Sequence, residues 1–209
     1  MATVRSTLRI GPVDHGRSMT LDEFLDADAE EGYRYELARG VLEVTHVPND
    51  PHGVTVWAIL QFIAAYNLKH PRVIYWAGGG NVYRFWLPGT ISGRNPDVGV
   101  TLRGTPKDWR GRRPASFAFE VVSEGTEAHE RDYVTKRAEY LAYGLREYWI
   151  VDPQTKTVTV LIRDGDSWVE QVYRDHQQAV SLVLPGLAIR LPELWPEVED
   201  EQSDAEAPN

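Results

Sequence analysis

Residues 116–123, Ser-Phe-Ala-Phe-Glu-Val-Val-Ser, form an apolar stretch with one carboxylate, Glu120, at its centre. Aromatic and β-branched residues on both sides of Glu120 predict a β-strand that is covered on both faces. Burying an unpaired charge costs on the order of several kcal/mol, so Glu120 must be protonated, hydrogen-bonded, paired with a cation or bound to a metal. Glu120 is therefore the first candidate for a functional residue.

The composition is that of a globular protein, with 42% apolar and 25% charged residues over 209 positions. We expect one α/β domain at residues 18–192, preceded by a mobile arm at 1–17 and followed by an acidic, disordered tail at 193–209. The absence of cysteine excludes disulfides and thiolate zinc sites. Because no run of about 18 apolar residues occurs, we expect no membrane partner and a cytoplasmic location.

The net charge of −9 disfavours binding to polyanions, but the charges are unevenly distributed. Residues 193–209 carry seven acids and no Lys or Arg, and without those seven charges the net charge of −9 becomes −2. Residues 103–113 include one acid, Asp108, and five basic residues. The basic residues are Arg103, Lys107, Arg110, Arg112 and Arg113. This basic loop either contacts a phosphate backbone or is a solvated excursion.

In the first third of the chain, local signals predict a helix, a hairpin and a second helix. Thr20 and Glu23 form a capping-box pattern that starts a short helix ending near residue 27. Strands at 33–37 and 41–47, joined by a glycine-containing turn, predict a hairpin. A long helix starts at Asn49-Asp50-Pro51 and ends at His70. Its buried face is predicted from the spacing of Val54, Trp57, Leu60, Ile63 and Ala64.

The rest of the chain predicts a mixed sheet. Two strands at 72–76 and 81–86 are separated by glycines 78–80, which we interpret as a flexible turn. Further strands are predicted at 98–102, around Glu120 and at 147–153. A helix at 128–143 separates the last two strands, a spacing typical of a crossover between parallel strands. A C-terminal hairpin follows, with strands at 158–162 and 168–173 around Asp164-Gly165.

Asp97 and Glu120 are the side chains that we expect to bind a metal. Asp97 stands at the start of the strand 98–102 and Glu120 lies within the next strand, so the two carboxylates are predicted side by side. Two close carboxylates repel each other unless a cation separates them, and oxygen ligands suit Mg²⁺ or Mn²⁺. Such an ion polarises a phosphodiester and lowers the pKa of water, which makes phosphoryl chemistry the natural use.

Lys136 is the candidate partner of this acidic pair. It lies between Tyr133 and Tyr140 on the flank of its helix that is predicted to face the sheet. Its ammonium group could orient the attacking water or neutralise charge on a phosphate. Arg137 falls in the same arc, so helical periodicity does not single out Lys136.

Several short motifs occur in a recognisable order: Tyr35-Glu36-Leu37, His52, Pro96-Asp97-Val98, Glu120-Val121-Val122-Ser123, Lys136 with Tyr140, and Glu147-Tyr148-Trp149-Ile150-Val151-Asp152-Pro153. In order and spacing they resemble the Uma-two family of restriction-endonuclease-like proteins, within the PD-(D/E)XK nuclease superfamily. The resemblance covers roughly residues 18–192. It implies a restriction-endonuclease-like α/β fold, a mixed β-sheet flanked by helices, to which the local signals add N-terminal and C-terminal hairpins.

The resemblance also implies metal-dependent cleavage of phosphodiester bonds. Our hypothesis is that the substrate is DNA and that hydrolysis proceeds without a covalent enzyme intermediate. The resemblance assigns Asp97, Glu120 and Val121 to a Mg²⁺ or Mn²⁺ site. The implied catalytic residues are Glu36, Asp97, Glu120 and Lys136. The superfamily lysine stands two residues after the second acid, where this chain has Val122, so Lys136 would supply the amine from the following helix.

Each candidate residue also has a purely structural interpretation. Glu120 could pair with an arginine in the core, and Asp97 could belong to a turn. Lys136 could pack its aliphatic stem on the neighbouring tyrosines while its amine reaches solvent. Glu36 shares a strand face with Arg34, which a solvated face would also explain.

Two further residues and two further functions stay open. His52 could contact a phosphate or metal-bound water or simply lie near a helix cap, and Ser123 could supply a hydroxyl to the site or cap a turn. The rival functions are a catalytically silent nucleic-acid-binding or protein-interaction module and a small-molecule phosphodiesterase. Aromatic residues near Trp86 or Trp168 could serve a homodimer interface, and the oligomeric state is left open.

Overall fold

The structure is a computed structural model that describes residues 7–46, 50–80, 83–108 and 111–195. The helices in chain order are α1 (Leu21–Asp26), α2 (Asp50–Lys69), α3 (Thr126–Glu130) and α4 (Lys136–Tyr143). A π-helical turn, Arg131–Thr135, joins α3 to α4. Among the described helices, none combines the length and apolar character needed to cross a membrane.

The described part of the chain contains fourteen strands. In order they are β1 (Arg9–Ile10), β2 (Asp28–Ala29), β3 (Tyr33–Ala38), β4 (Val41–His46), β5 (Ile74–Gly78), β6 (Phe85–Leu87), β7 (Ser92–Arg94), β8 (Val98–Leu102), β9 (Phe117–Val121), β10 (Glu147–Asp152), β11 (Thr157–Asp164), β12 (Ser167–Arg174), β13 (Gln178–Val180) and β14 (Ala188–Arg190). The predicted N-terminal hairpin is β3–β4, and the predicted C-terminal hairpin is β11–β12.

A six-stranded mixed sheet forms the centre of the molecule, in the order β12-β11-β10-β9-β8-β5. Strands β9 and β10 are parallel and are connected through α3 and α4, as the strand-helix-strand spacing predicted. The other neighbouring pairs in this sheet are antiparallel. The prediction of a mixed sheet flanked by helices is confirmed.

Strand β9 is buried on both faces, as its sequence predicted. Phe117 and Phe119 belong to an apolar cluster with Ile63 of α2 on one side of the sheet. Ala118 belongs to a second cluster with Tyr140 of α4 on the other side. Because side chains alternate along a strand, the residue after Phe119 points towards α4. That residue is Glu120.

The N-terminal half contributes a smaller four-stranded sheet, in the order β4-β3-β7-β6. The predicted capping box opens α1: the Thr20 hydroxyl accepts a hydrogen bond from the Glu23 N–H at 3.2 Å, and the Glu23 carboxylate accepts one from the Thr20 N–H at 2.8 Å. Strand β7 was not predicted, because its sequence Ser-Gly-Arg is short and polar. Antiparallel pairing with β6 over three residues, and with β3 through Leu37 and Gly93, defines it.

Part of the segment predicted as a mobile arm, from residue 9 onwards, forms secondary structure. Ile10 is buried among the apolar residues of the smaller sheet. Strand β1 pairs with β2, and the Gly16 N–H donates to the Leu42 carbonyl at 2.8 Å. Residues far away in the sequence hold this segment in place, so the local sequence pattern could not predict its structure. Residues 1–6 lie outside the described part.

Helix α2 ends where predicted, but it buries a different face. Val54 and Trp57 are 43% and 60% exposed. The buried residues are His52, Thr55, Ile59, Ile63 and Tyr66. Of the predicted buried face, only Ile63 is fully buried, because the observed face includes polar residues that a hydrophobic pattern cannot identify. Asn49, the predicted cap, lies outside the described residues.

Glycines 78–80 do not form a simple turn between two strands of one sheet. Strand β5 extends to Gly78 in the large sheet, whereas β6 belongs to the small sheet. Residues 81–82, predicted as the start of the second strand, lie outside the described part. The glycine run therefore connects the two sheets.

Gly144 ends α4 with a φ of 92°, a left-handed conformation that favours glycine.

The packed part of the domain extends slightly beyond residue 192, the predicted C-terminal end of the domain. Strands β13 and β14 pair after the hairpin, and Leu194 is buried in the main apolar cluster. The remainder of the predicted acidic tail, residues 196–209, lies outside the described part.

Candidate active site

Asp97 immediately precedes β8, and Glu120 lies on the neighbouring strand β9. In the antiparallel register of β8 and β9, Val98 is opposite Phe119, and one further step places Asp97 opposite Glu120. Both side chains are buried. A Cβ atom on Gly79 would lie 1.7 Å from the Asp97 carbonyl oxygen, so only glycine allows the two segments to pass this closely.

Asp97 is held from three directions. Arg34 Nη1 donates to Oδ1 at 2.8 Å, and the Val121 backbone N–H donates to Oδ2 at 2.8 Å. His52 Nε2 lies 3.2 Å from Oδ1, an ion-pair distance without hydrogen-bond geometry. Burial opposes ionisation of Asp97, but Arg34 and His52 outweigh it and hold its pKa well below the usual range. Asp97 is therefore a fixed carboxylate at neutral pH.

Glu120 shares its carboxyl group between two donors. Lys136 Nζ lies 2.9 Å from Oε2, and the Tyr140 hydroxyl donates to Oε1 at 2.6 Å. Burial raises the pKa of Glu120 to about 8; Lys136 opposes this rise, and the carboxylates of Asp97, Asp132 and Glu36 add to it. Burial is the main reason for the raised pKa of Glu120, and the neighbouring carboxylates add to it.

Lys136 lies at the centre of the acidic side chains. Besides Glu120, it approaches Glu36 Oε1 at 3.5 Å and Asp132 Oδ1 at 3.7 Å. Burial favours the neutral amine, but these three carboxylates raise the pKa of Lys136. Its side chain is only 3% exposed, so the alternative of a lysine reaching to solvent is wrong. The π-helical turn Arg131–Thr135 directly precedes Lys136, and such turns often occur at functional sites.

Glu36 completes the cluster from the smaller sheet. Arg94 Nη1 lies 3.2 Å from Oε2, and the Asn95 backbone N–H donates to Oε1 at 2.6 Å. Burial opposes ionisation, but Lys136, Arg94 and Arg34 lower the pKa of Glu36 to about 2. Because Glu36 is buried and Arg34 is largely so, the solvated-face interpretation of these two residues is wrong.

Arg94 ties the smaller sheet to the helix that carries Lys136. It is fully buried on β7, and it lies 2.7 Å from Glu139 of α4 and 2.6 Å from Glu43 of β4, in addition to Glu36. A buried guanidinium group needs such carboxylate partners to offset its desolvation. This ion network fixes the spacing between the hairpin and α4.

A cleft of about 550 Å³ opens at the cluster. Glu36 and Lys136 reach the cleft, whereas Asp97 and Glu120 are not among its lining residues and are almost fully buried. The walls come from the β3–β4 hairpin, the start of α2 and residues 122–131. Ser123 also lines the cleft.

Comparison with protein families matches residues 21–192 to the Uma2 family model, described as "Putative restriction endonuclease". The chain belongs to the Uma2 family. This confirms the resemblance that the order of the motifs indicated. The comparison with curated proteins gave no match.

The fold of this Uma2 chain is similar to a solved structure from Anabaena variabilis, titled "a putative nuclease belonging to DUF820". The TM-score is 0.64 at 20% sequence identity, and the match covers 84% of this chain and 97% of the other. Similarity at this identity establishes the fold alone. The restriction-endonuclease-like, mixed α/β fold is therefore confirmed.

The structure of the Uma2 chain brings together the four side chains that were predicted to be catalytic: Glu36, Asp97, Glu120 and Lys136. Their roles remain predictions. Val121, predicted at the metal site, contacts Asp97 through its amide. Arg137 lies outside the cluster and pairs with Glu170 at 2.8 Å. Tertiary contacts thus separate Lys136 from Arg137, which the helical periodicity could not do.

His52 and Ser123 both lie at the cleft. Ser123 Oγ is 3.5 Å from His52 Nδ1, while His52 Nε2 faces Asp97. His52 is therefore more than a residue near a helix cap, because it contacts the acidic cluster directly. Ser123 does not cap the following helix, since α3 has Gly125 at its N-cap.

Sequence reasoning missed residues that organise the Uma2 site. Arg34 was noted only for sharing a face with Glu36, and Asp132 was not considered. Two signals were available: Arg34 is two residues before Glu36 on one strand face, and Asp132 is one helical turn before Lys136. Arg94, adjacent in sequence to the Asn-Pro-Asp motif, gave no sign that it would be buried.

The basic loop does not line the cleft in its described residues, 103–108 and 111–113. Lys107, Arg112 and Arg113 instead line a second cavity. Trp86, suggested for an interface, is only 7% exposed, so it does not serve as an exposed aromatic. Trp168 is partly buried, and its Nε1 donates to the Arg137 carbonyl at 3.0 Å.

The donor atoms of the site fit Mg²⁺ or Mn²⁺ chemically, although they form no closed cage. Within the part of the chain that the structure describes, no group of three or more His, Asp or Glu side chains is arranged to hold a metal ion. Mg²⁺ is usually held by one or two carboxylates, with waters and substrate phosphates completing its shell. Asp97 supplies an ionised carboxylate, and a bound cation would favour ionisation of Glu120, which would supply the second.

Proposed function

We propose that this Uma2 chain is a divalent-metal-dependent endonuclease that hydrolyses DNA phosphodiester bonds. The convergence of Glu36, Asp97 and Glu120 on Lys136 beside a cleft carries this proposal. Membership of a family described as "Putative restriction endonuclease" and the nuclease-like fold support it.

Asp97 and Glu120 would hold Mg²⁺ or Mn²⁺, with Val121 beside them. When bound, the ion adds positive charge at the phosphate and lowers the pKa of a water molecule, which provides a nucleophile near neutral pH. Arg34 keeps Asp97 ionised, as metal ligation requires. Tyr140 fixes the orientation of Glu120 through its 2.6 Å hydrogen bond.

Lys136 would act on the phosphate or the attacking water. Glu36 and Asp132 hold its ammonium group in the charged state beside the two candidate metal ligands. A fixed positive charge at this position stabilises the negative charge that develops on a phosphate during hydrolysis. Arg131 also lines the cleft, and its guanidinium group can contact phosphate oxygens.

One observation favours a second candidate, a catalytically silent nucleic-acid-binding module. Each of the four carboxylate oxygens of Asp97 and Glu120 already has a partner within the protein. In a protein that binds no metal, these contacts would satisfy the hydrogen-bonding capacity of both carboxyl groups. The proposal of a nuclease requires that a divalent ion displace or share some of them.

Cleavage of supercoiled plasmid in Mg²⁺ or Mn²⁺, with EDTA as the metal-free control, tests the proposed function. Asp97→Asn should reduce nicking by at least about 100-fold, as expected for a group that positions charge in a transition state. Asp152→Asn is the matched control, because Asp152 is also a buried aspartate but accepts hydrogen bonds from the backbone amides of Gln154 and Thr155. Equal cleavage by the two variants would remove Asp97 from the mechanism.

Thermal unfolding with and without metal separates the rival functions. A ligand that binds the native state alone raises its stability, by about 2.7 kcal/mol at 100 times the Kd. We expect Mg²⁺ to raise the Tm of the native protein and of Asp152→Asn, and to raise that of Asp97→Asn much less. No shift and no cleavage would favour the silent module. If Mg²⁺ raises the Tm but plasmid is not cleaved, the result would favour a small-molecule phosphodiesterase.

A further inference from the structure

A second cavity, of about 690 Å³, lies at the edge strand β5 and is bordered by the basic loop. It shares no lining residue with the cleft among the described residues. Its volume falls within the range of roughly 300–1,000 Å³ that is typical of ligand pockets. Its aromatic lining residues are Tyr75, Trp76, Tyr83, Trp86 and Tyr143. The proposed nuclease chemistry makes no use of it.

Trp76 is an exposed aromatic ring held in a fixed position. Its ring is parallel to that of Tyr83 within 6°, with a centroid separation of 5.7 Å. Tyr83 is buried and its hydroxyl bonds to Thr101, whereas Trp76 remains 41% exposed. A Cβ atom on Gly78 would come within 3.0 Å of the Trp76 ring, so this glycine leaves room for it. The cavity thus offers a flat aromatic surface that is fixed before any ligand binds.

Basic side chains surround this aromatic surface. Four bases and one acid, Asp108, line the cavity, which leaves three net positive charges on a protein whose net charge is −9. The guanidinium of Arg112 lies 4.9 Å from the centroid of Trp86, and that of Arg113 lies 5.3 Å from the centroid of Tyr75. Such cation–π contacts fix the orientation of the arginines. The local charge favours an anionic ligand.

We propose that this cavity binds an unpaired segment of nucleic acid, with a base stacked on Trp76 and the phosphates near Lys107, Arg112 and Arg113. The choice of a nucleic acid as the ligand rests on the proposed nuclease function. A positively charged groove combined with stacking aromatics is the arrangement that binds single strands without sequence preference. A duplex keeps its base faces inside the stack, so it cannot use the exposed face of Trp76.

Hydrogen bonds of Asn95 connect the cavity to the acidic cluster. Arg84 lines the cavity, and its Nε donates to Asn95 Oδ1 at 2.8 Å. The Asn95 backbone N–H donates to Glu36 at 2.6 Å, and its carbonyl accepts from Arg34 at 2.9 Å. Arg84 of the cavity and Glu36 and Arg34 of the acidic cluster therefore share one hydrogen-bonding partner, Asn95.

Fluorescence anisotropy in EDTA tests the inference without cleavage, using a labelled single-stranded oligonucleotide and the duplex of the same sequence. Trp76→Ala should weaken single-strand binding about tenfold and leave duplex binding unchanged. Trp57→Ala is the matched control, because Trp57 is 60% exposed on α2 and does not line the cavity. Trp76→Phe, which keeps a stacking ring, should recover most of the affinity.

Charge variants keep the inference testable if Trp76→Ala does not fold. Lys107→Gln should weaken single-strand binding and reduce its salt dependence, because one phosphate contact is lost. Lys69→Gln, an exposed lysine at the end of α2 that does not line the cavity, should change neither. Equal single-strand affinity of Lys107→Gln and Lys69→Gln, or of Trp76→Ala and Trp57→Ala, would overturn the inference, as would the absence of any single-strand binding.

The two proposals fail separately. Trp76-dependent binding in a protein that does not cleave plasmid in any metal would remove the nuclease function and leave the cavity as a nucleic-acid site. Metal-dependent cleavage together with single-strand binding that is unaffected by Trp76→Ala would remove the cavity and leave the nuclease.

Discussion

Lys136 Nζ lies 2.9 Å from Glu120 Oε2, although the two residues belong to a helix and a strand and are 16 positions apart in the chain. Both side chains are buried, and Lys136 also contacts Glu36 and Asp132. Removing a buried cation leaves its carboxylate partners uncompensated. This pair therefore links the stability of the fold to the chemistry of the site.

Lys136→Met should impair both stability and cleavage, whereas Arg137→Met should impair neither strongly. In EDTA we expect Lys136→Met to lower the free energy of unfolding by roughly 3–5 kcal/mol, because buried carboxylates lose their cation. Arg137 forms a partly exposed pair with Glu170, which solvent screens, so its loss should cost less than about 1 kcal/mol. Urea unfolding and plasmid cleavage, measured on both variants, check this prediction.

Lys136→Arg separates a catalytic role from a structural one. It retains a positive charge for the buried carboxylates, but the larger planar guanidinium cannot occupy the position of the ammonium group. We expect a folded variant that cleaves at least about 100-fold more slowly. If the folded variant cleaves at the native rate, Lys136 serves the fold and not the reaction.

Glu120→Gln should change the pH dependence of stability. Burial raises the pKa of Glu120 from 4.5 to about 8, so between these values the native state keeps a proton that the unfolded state has released. The stability linked to that proton is fully present below about pH 4.5 and is lost as pH rises towards 8. Glu120→Gln removes this loss, so its stability relative to the native protein should increase by up to about 1.4 kcal/mol per pH unit.

Urea unfolding of both proteins at several pH values between 5 and about 8, in EDTA, measures the Glu120 effect. The informative quantity is how the difference between the two proteins changes with pH. A constant offset can arise from the changed hydrogen bonds of Lys136 and Tyr140. A difference that does not change with pH would show that Glu120 titrates near its ordinary pKa.

Gly79→Ala and Gly53→Ala should have opposite effects on stability. A Cβ atom at position 79 would lie 1.7 Å from the Asp97 carbonyl oxygen, and a clash with backbone should cost at least about 1–3 kcal/mol. A Cβ atom at position 53, within α2, meets nothing within 4 Å, and replacing a helical glycine with alanine should stabilise by roughly 0.5–1 kcal/mol. Urea unfolding of both variants shows whether each change raises or lowers the free energy of unfolding.

Gly79→Ala should also impair cleavage, because the shift needed to relieve the clash moves Asp97. We expect the loss of activity to exceed what the remaining folded fraction explains. Native activity in a folded Gly79→Ala protein would mean that the position of Asp97 tolerates this shift.

Local sequence determined much of the secondary structure. The capping box at Thr20 and Glu23 marked α1, and the apolar run around Glu120 marked the central strand. These signals are local because capping bonds and strand burial patterns involve neighbouring residues. The order of the motifs also indicated the Uma2 family, since it depends only on residue identity and spacing along the chain.

Sequence also identified three of the acidic residues that the fold brings together, Glu36, Asp97 and Glu120, but not Asp132. A carboxylate within an apolar strand requires a partner, so Glu120 could be selected before any partner was known. Helical periodicity placed Lys136 on the flank of its helix that was predicted to face the sheet, but it placed Arg137 on the same flank. Periodicity along a helix defines a face, but it does not say which of two adjacent cations the sheet receives.

Only the tertiary structure decided which partners these residues have. Arg34 and His52 reach Asp97 from positions 63 and 45 residues earlier in the chain, and Arg94 joins two sheet strands to α4. The buried face of α2 likewise depends on packing, since His52 and Thr55 replace the apolar residues expected there. Burial and ion pairing are long-range properties, because their free energy depends on which surfaces meet, and the local pattern of a sequence does not contain that information.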